Sequence, residues 1–425
     1  MEPISESNQG KCEEPWMRRD RAIIFAANVA RSAATGLTGV ILGIYLHGLH
    51  FSPGAIGAVI AAGLGGGATA AVLATFTADR IGRRRFLVAV SLLCAFGGAC
   101  AAMTSSLPAI TVVAFFGMLN GMGRDRGASS IIDQAILPAT APDLHRTRTF
   151  ALYSVLQAAG GAIGSLMAGL PSMLARRFAL DSVLAMRYGL ALYASLMALT
   201  GLLYLGLTRE IELHSPAPSF RHAVSPATMR IIKRLSALFA LDSIGGGFLT
   251  QALIAYFFVR RFDASPGEIG LLFFAAAVAN ALSQLAAPML ARRIGLINTM
   301  VFTHIPGNLL MMAVAFAPTF HIAAVLFLMR ESLVQMDVPA RNSYVMAVVE
   351  PRERTFASGI TGLVRLGGWA VAPGFAGLVM QGVSLTTPFV AGPALKVVYD
   401  LILYRAFSKV RPPEERVPKA SSART

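Results

Sequence analysis

The sequence predicts an all-α membrane protein in which twelve transmembrane helices form two parallel six-helix repeats around a central cavity. Three observations predict it. Apolar residues make up 55% of the 425 and charged residues 14%, giving a mean hydropathy of +0.61 that lies far from the norm for soluble domains. Apolar runs near the roughly 20 residues that cross a bilayer recur along the chain, separated by short polar joints. Short motifs around the second run return around the eighth.

In order, the runs read as spans 22–46, 54–77, 86–104, 108–136, 149–171 and 188–207, then 235–259, 267–290, 297–316, 321–347, 356–380 and 386–407. Helices suit them because backbone groups in hydrocarbon must be paired within the segment, and the runs lack the alternation of barrel strands. The chain divides into a cytoplasmic start (1–21), a six-helix bundle (22–207), a cytoplasmic central loop (208–234), a second six-helix bundle (235–407) and a cytoplasmic tail (408–425).

Charge sets the expected orientation. With both termini in the cytoplasm, most of the 37 Lys and Arg fall on inner segments, and the outer loops hold Arg176, Arg177, Arg187, Arg260 and Arg261. That is the positive-inside pattern of a multi-pass protein of the cell membrane. The net charge of +15 is thereby accounted for, and no nucleic-acid partner is expected. Glu2, Glu6, Glu13 and Glu14 ahead of Trp16 are unlike a cleavable signal peptide, so the first span is expected to direct insertion. Cys12, Cys94 and Cys100 are too few for a disulfide framework and read as buried filler.

The repeat is explicit. Ser52-Pro53-Gly54-Ala55-Ile56-Gly57 precedes the second span and Ser265-Pro266-Gly267-Glu268-Ile269-Gly270 the eighth. Ala78-Asp79-Arg80-Ile81-Gly82 follows the second, and Ala291-Arg292-Arg293-Ile294-Gly295 follows the eighth at the same offset. Arg148-Thr149-Phe150-Ala151 and Arg354-Thr355-Phe356-Ala357 open the fifth and eleventh. Parallel repeats of this kind occur in transporter folds whose sites lie at the midplane between the halves.

With the segment Ala78-Asp79-Arg80-Ile81-Gly82-Arg83-Arg84-Arg85 between the second and third spans, the chain resembles the major facilitator superfamily. There an acidic residue, an Arg, a Gly and a basic run form a loop signature. Two features depart from it: Thr75 stands where the signature has Gly, and Ser165 follows Gly164 where the family's antiporters often carry Pro. Gly160, Gly161, Gly164 and Gly169 of the fifth span read as a close-packing face. The resemblance implies a central path lined by the first, fourth, seventh and tenth helices.

Ionisable groups inside spans are functional candidates by default. At 1.5 Å per residue, Arg31 lies about 15 Å from the basic cluster at Arg19–Arg21, near the midplane, with Asn28 one turn away. The same arithmetic brings Arg330, Glu331 and Arg365 to that level. Asn28, Arg31, Arg330, Glu331 and Arg365 are therefore the expected substrate-binding residues, and Asp242 and Glu331 the expected proton carriers. A structural ion-pair triad of Arg330, Glu331 and Arg365 is the competing reading. Lys396 and Asp400, four apart, are expected to pair with each other.

Asp79, Arg80, Gly82 and Arg83 of the loop, with Asp125 among Arg124 and Arg126, and Asp337 near Arg341, are the expected gating residues. Asp79 is expected to accept from a neighbouring helix N-terminus or to pair with Arg.

Enzyme chemistry finds no foothold: there is no Gly-x-Ser-x-Gly elbow, no phosphate loop with its lysine, and no histidine pair at a metal-ligand spacing beyond His47 and His50. No cofactor or metal is expected. A monomeric secondary transporter of a small organic molecule is, with efflux by proton exchange favoured by the loop signature. Organic-anion symport, facilitation, or a non-transporting receptor or assembly role are the alternatives.

Overall fold

The computed structural model describes residues 14–142, 145–212, 225–336, 341, 349 and 353–407. All regular elements among the described residues are helical. The first half comprises α1 (Pro15–Gly48), α2 (Pro53–Ile81), α3 (Arg83–Met103), α4 (Leu107–Phe116), α5 (Ala128–Ile136), α6 (Arg146–Met167), α7 (Gly169–Phe178) and α8 (Ser182–Leu205). The second comprises α9 (Pro226–Gly247), α10 (Gln251–Phe262), α11 (Pro266–Ile294), α12 (Leu296–Phe316), α13 (Phe320–Val334), α14 (Arg354–Gly382) and α15 (Thr387–Phe407).

These helices form the twelve-span arrangement. Among the described residues, 9 stretches are long and apolar enough to cross a membrane. The fourth span falls short because it is broken into α4 and α5; the described part of the tenth ends as a helix at Val334; the twelfth carries Lys396 and Asp400. The fifth and seventh, expected as single runs, are also interrupted, at Ala168 and at Phe248–Thr250.

The repeated motifs are helix boundaries. Ser52 Oγ accepts from Ala55 N–H at 3.3 Å with Pro53 in the first turn, and Ser265 makes the same cap, completed by Glu268 into a capping box, with Pro266 following. Such a cap satisfies amides that a helix start leaves unpaired. At the other ends, Gly82 (φ 100°) and Gly295 (φ 89°) turn the chain directly into α3 and α12. Only glycine adopts that backbone region without strain.

The α2–α3 turn with Arg80 and Arg83–Arg85 marks a basic face, and the α1–α2 turn at residues 49–52 the far face. Near the far face the halves touch backbone to backbone. Gly57 of α2 lies against Gly377 and Pro373 of α14, Gly43 of α1 against Ala252 of α10, and Gly270 of α11 against Ser165 of α6. Ala252 N–H donates to Gly121 O (3.0 Å), Gly54 N–H to Gln381 Oε1 (3.1 Å) and Gln251 Nε2 to Ser165 Oγ (3.2 Å). Without a hydrophobic drive between helices in lipid, such small-residue contacts carry the association.

One continuous core runs through both halves on this side, from Leu37 and Tyr45 to Phe257, Met311 and Phe389. Toward the basic face the cores are separate: Ile24, Ile136, Tyr153 and Tyr204 in one half, Leu235, Phe239, Met300 and Tyr399 in the other. Gly67 of α2 lines the space between the halves, with no atom near where its side chain would start. The halves are closed at the far face and parted toward the basic one.

Candidate functional site

The interruption of the fourth span builds the middle of the molecule. Between α4 and α5 lie Gly117, Gly121, Gly123 and Gly127, with Met118 at φ 50° and Gly123 at φ 72°. Backbone released at membrane depth must find partners. Here Asn120 supplies them, its Oδ1 accepting from Met122 N–H (2.8 Å) and its Nδ2 donating to Arg124 O (2.9 Å), while Gln157 Nε2 donates to Asp125 O (2.9 Å). The result displays Arg124, Asp125 and Arg126 consecutively from an unwound strand of chain.

Behind this segment Arg31 of α1 is fully engaged. Its Nε donates to Asp125 (2.7 Å) and its Nη2 to Asp133 (2.9 Å) and Tyr153 Oη (3.2 Å), and it also bonds Tyr204. Tyr204 and Tyr153 in turn donate to Asp133 at 3.0 and 3.2 Å. Asn28 Nδ2 donates to the Tyr153 carbonyl (2.9 Å). One guanidinium thus ties α1 to α5, α6, α8 and the break. Asp125, expected among Arg124 and Arg126 at a gate, is a partner of Arg31.

The second half holds a network of reversed charge. Asp242 of α9 accepts from Lys396 Nζ of α15 (2.7 Å), and Arg341 lies 3.6 Å from its other oxygen. Asp400 accepts from His304 Nδ1 of α12 (2.9 Å). Lys396 and Asp400 therefore bind other helices rather than each other. Four residues along α15 set them on one stripe, but α9 and α12 present oppositely polar groups to that stripe at shorter range.

Between the halves a cavity is lined by Arg31, Asn120, Arg124, Asp125, Arg126 and Trp369 among others. Glu331 of α13 stands behind Arg124: it accepts from Asn280 Nδ2 (2.7 Å) and from Arg330, and Arg124 Nη2 lies 3.8 Å away. Gln335, with its amide oxygen toward Arg124, accepts from both Nη atoms at 2.5 and 2.6 Å. Opposite, the guanidinium carbons of Arg126 and Arg365 lie 4.7 and 4.8 Å from the centroid of Trp369. A larger opening of about 490 Å³ sits at the far face, lined by His47, Arg260, Arg261, Asp263 and Phe320. It is a surface vestibule, remote from the buried charges.

Of the expected binding residues, Arg330 and Glu331 pair with each other beside Arg124, Arg365 lies apart from them over Trp369, Arg31 reaches the cavity from behind, and Asn28 joins helices instead. Asp337 lies outside the described residues. In the loop, Asp79 is exposed and pairs with Arg83 (2.8 Å). The α3 N-terminus is held by Glu212, which accepts from Arg83 N–H (2.7 Å) and Arg84 N–H (3.2 Å). The second half repeats this device: Glu353 accepts from Ser225 N–H (2.6 Å) at the start of α9, and hydrogen bonds from Thr228 and Ser225 hold its carboxyl below the usual carboxylate range. Replacing Glu212 by Ala is expected to cost about 1 kcal/mol, the usual weight of a helix cap. Thermal unfolding of the purified variant in detergent checks it, and an unchanged midpoint would show Glu212 to be ornamental.

Two bundles in tandem, closed at one face around a charged central cavity with a broken helix, define a secondary transporter fold rather than an enzyme. The family model of the Major Facilitator Superfamily matches residues 24–334 and 238–425, and the chain belongs to that superfamily. The chain is 24% identical over 417 residues to the uncharacterized membrane protein YJR124C of Saccharomyces cerevisiae, covering 91% of this chain and 93% of that one. Among solved structures it resembles a variant of the nucleoside transporter NupG (TM-score 0.72, 17% identity, covering 91% of this chain and 99% of that one). It equally resembles an auto-inhibited peptide transporter of the POT family (TM-score 0.72, 12% identity, 96% and 99%).

Proposed function

We propose that this protein is a proton-coupled secondary transporter of a small organic anion, working by alternating access as a monomer in the cell membrane. Structural neighbours that carry nucleosides and peptides share the fold, so cargo has to be argued from the cavity itself. The observation that carries the reading is Trp369 with two guanidinium groups, Arg126 from one half and Arg365 from the other, against the same ring. Guanidinium groups from both halves meet at one indole, so a carboxylate or phosphate bound there touches both halves at once. The cavity wall also presents Arg31 and Arg124, with Asp125 as its carboxylate and Glu331 beside it. Guanidinium suits carboxylate or phosphate, and the indole offers a surface for a planar or apolar part.

The arrangement favours co-transport over the exchange anticipated from the loop signature. Glu331 stands against Arg124, and Asp242 against Lys396 and Arg341. Neutralising either carboxylate with a proton leaves cationic side chains for an anionic cargo. Proton and anion then assist each other's binding, and by linkage the assistance is mutual. Exchange would need each to exclude the other. The basic face is assigned to the cytoplasm by the positive-inside rule, which turns the vestibule of Arg260, Arg261 and His47 outward, where it draws anions toward the closed end.

The test is uptake into proteoliposomes across a panel of carboxylates, organic phosphates, neutral solutes and organic cations at several inner and outer pH values. Saturable movement of anions, accelerated by acid on the cargo side and lost in Arg126→Gln and Arg365→Gln, is the expected result. Movement confined to neutral or cationic solutes, or an anion flux driven by opposed proton movement, would replace this reading.

A further inference from the structure

Resting on the transport reading, we infer that the far-face vestibule is a regulatory site for a phosphate group, held by Arg260 and Arg261, and that a phosphate seated there keeps the far face closed. Its walls come from three places. Arg260 and Arg261 stand in the last turn of α10, His47 in the last turn of α1, and Thr319 and Phe320 begin α13. Both arginines are exposed, and among the described residues neither forms an ion pair with a carboxylate. Asp263, the cap of α10 at φ 52°, is the one carboxylate in the lining. Two fixed positive charges therefore face one negative, before His47 is counted.

The donors on these walls suit a tetrahedral oxyanion. A guanidinium offers paired N–H groups that match two phosphate oxygens. On the other wall, Thr319 Oγ1 accepts from Ile322 N–H at 3.4 Å, and the remaining first-turn amides of α13 are the usual donors to an anion at a helix start. A phosphate has oxygens left for that wall after meeting an arginine. A planar carboxylate spends both of its oxygens on one fork, and chloride has no shape to match. The opening of about 490 Å³ exceeds what a bare phosphate fills, so a phosphoester fits as well, and the group comes either as free phosphate or on a lipid headgroup.

Closure follows from which half each wall belongs to. His47 is part of the first half, and the arginines and α13 are part of the second. His47 meets the Tyr256 ring of α10 edge-on, with centroids 5.3 Å apart, and Arg260 stands close enough to act on both. One turn deeper, Gly43 of α1 lies against the Ala252 carbonyl of α10, and Ala252 N–H donates to Gly121 O at 3.0 Å. The vestibule thus sits over the seam where the halves touch. Opening the far face draws His47 away from the arginines and takes the pocket apart. A ligand that needs both walls binds the closed state better, and it shifts the balance by that difference. Phosphate outside is then a brake on entry from that side.

The test uses protein with Cys12 and Cys100 replaced by Ser, in sealed phosphatidylcholine vesicles, with an impermeant maleimide on the far side reporting Cys94 of the central cavity. Inorganic phosphate on that side, compared with chloride at equal ionic strength, is expected to slow labelling roughly tenfold. It should slow entry of the carboxylate panel to a similar degree. Both effects should vanish in Arg260→Gln combined with Arg261→Gln. They should stay in Arg176→Gln combined with Arg177→Gln, which removes two exposed far-face charges outside the lining. Protection of Cys94 should also survive Arg126→Gln with Arg365→Gln, which separates the vestibule from the cargo cavity. Phosphatidylglycerol in the vesicles distinguishes the sources: protection by this lipid alone, lost with Arg260 and Arg261, makes the headgroup the ligand, and protection only by added phosphate makes it the free anion. Protection no greater than that of chloride in either arm, or protection that outlasts the loss of Arg260 and Arg261, overturns the proposal. Arginine-dependent protection in a protein that moves no solute upholds the site and defeats the transport reading instead.

Discussion

Arg31→Met is expected to destabilise the protein by about 3–5 kcal/mol, the cost of leaving buried charge without its partner. The residue is 4% exposed and serves two carboxylates and two tyrosines from three helices and the break in the fourth span. Removing it leaves Asp125 and Asp133 together in a low-dielectric interior. Arg31→Lys should rescue little, because one ammonium cannot reproduce the planar fork that reaches Asp125 through Nε and Asp133 through Nη2. Adding Asp133→Asn to Arg31→Met should recover a large part of the loss, since the orphaned charge disappears with it. The measurements are thermal midpoint and monodispersity in detergent. A stable Arg31→Met protein with intact midpoint would mean that the network is incidental to the fold and that Arg31 is held for cargo instead.

The inverse pairing in the other half explains why this network reads as architecture. Arg on the first span meets acids on the fourth; Asp on the seventh meets Arg341, which follows α13, and Lys396 on the twelfth. Among the described residues each half carries a buried ion-pair cluster that joins its own helices, with the polarity reversed between the two. That permits the halves to move as rigid bodies, which is the kind of transition alternating access requires.

How far the sequence foretold this depends on the distance between partners. Span number and repeat were legible because the caps and turns that mark them are local: Ser52-Pro53 and Ser265-Pro266 act within one helical turn, and Gly82 and Gly295 act where they stand. The common level expected for Arg31, Arg330, Glu331 and Arg365 came from counting residues alone. Partners did not, since Arg31 meets residues about a hundred positions away in chain order. Lys396 and Asp400 show the same limit from the other side, where a sound local rule lost to two neighbouring helices. The break in the fourth span had a visible signal in four glycines within eleven residues, overridden by the apolar run around it. His304 and Asn280 escaped notice because neither carries a formal charge at neutral pH, and Glu212 because nothing in a loop announces which helix it will cap.

Gly57→Leu is expected to hold the halves apart at the far face. A Cβ on Gly57 would come 2.9 Å from Gly377 Cα and closer still to the Pro373 carbonyl, and these are backbone atoms that cannot swing aside. Overpacking of this kind costs about 1–3 kcal/mol, and it is felt only in the state closed at that face. A penalty confined to one of two states shifts their balance by roughly 5- to 150-fold. Cys94 lines the cavity and supplies the readout. With Cys12 and Cys100 replaced by Ser, an impermeant maleimide added on the far side should label Cys94 faster in the order Gly, Ala, Val, Leu at position 57, while transport falls in the same order. Gly377→Leu strikes the same contact from the other helix and should give the same pattern. Labelling and transport that ignore both series would show that the halves do not part there, and that the contact of α2 with α14 is a fixed hinge around which they turn.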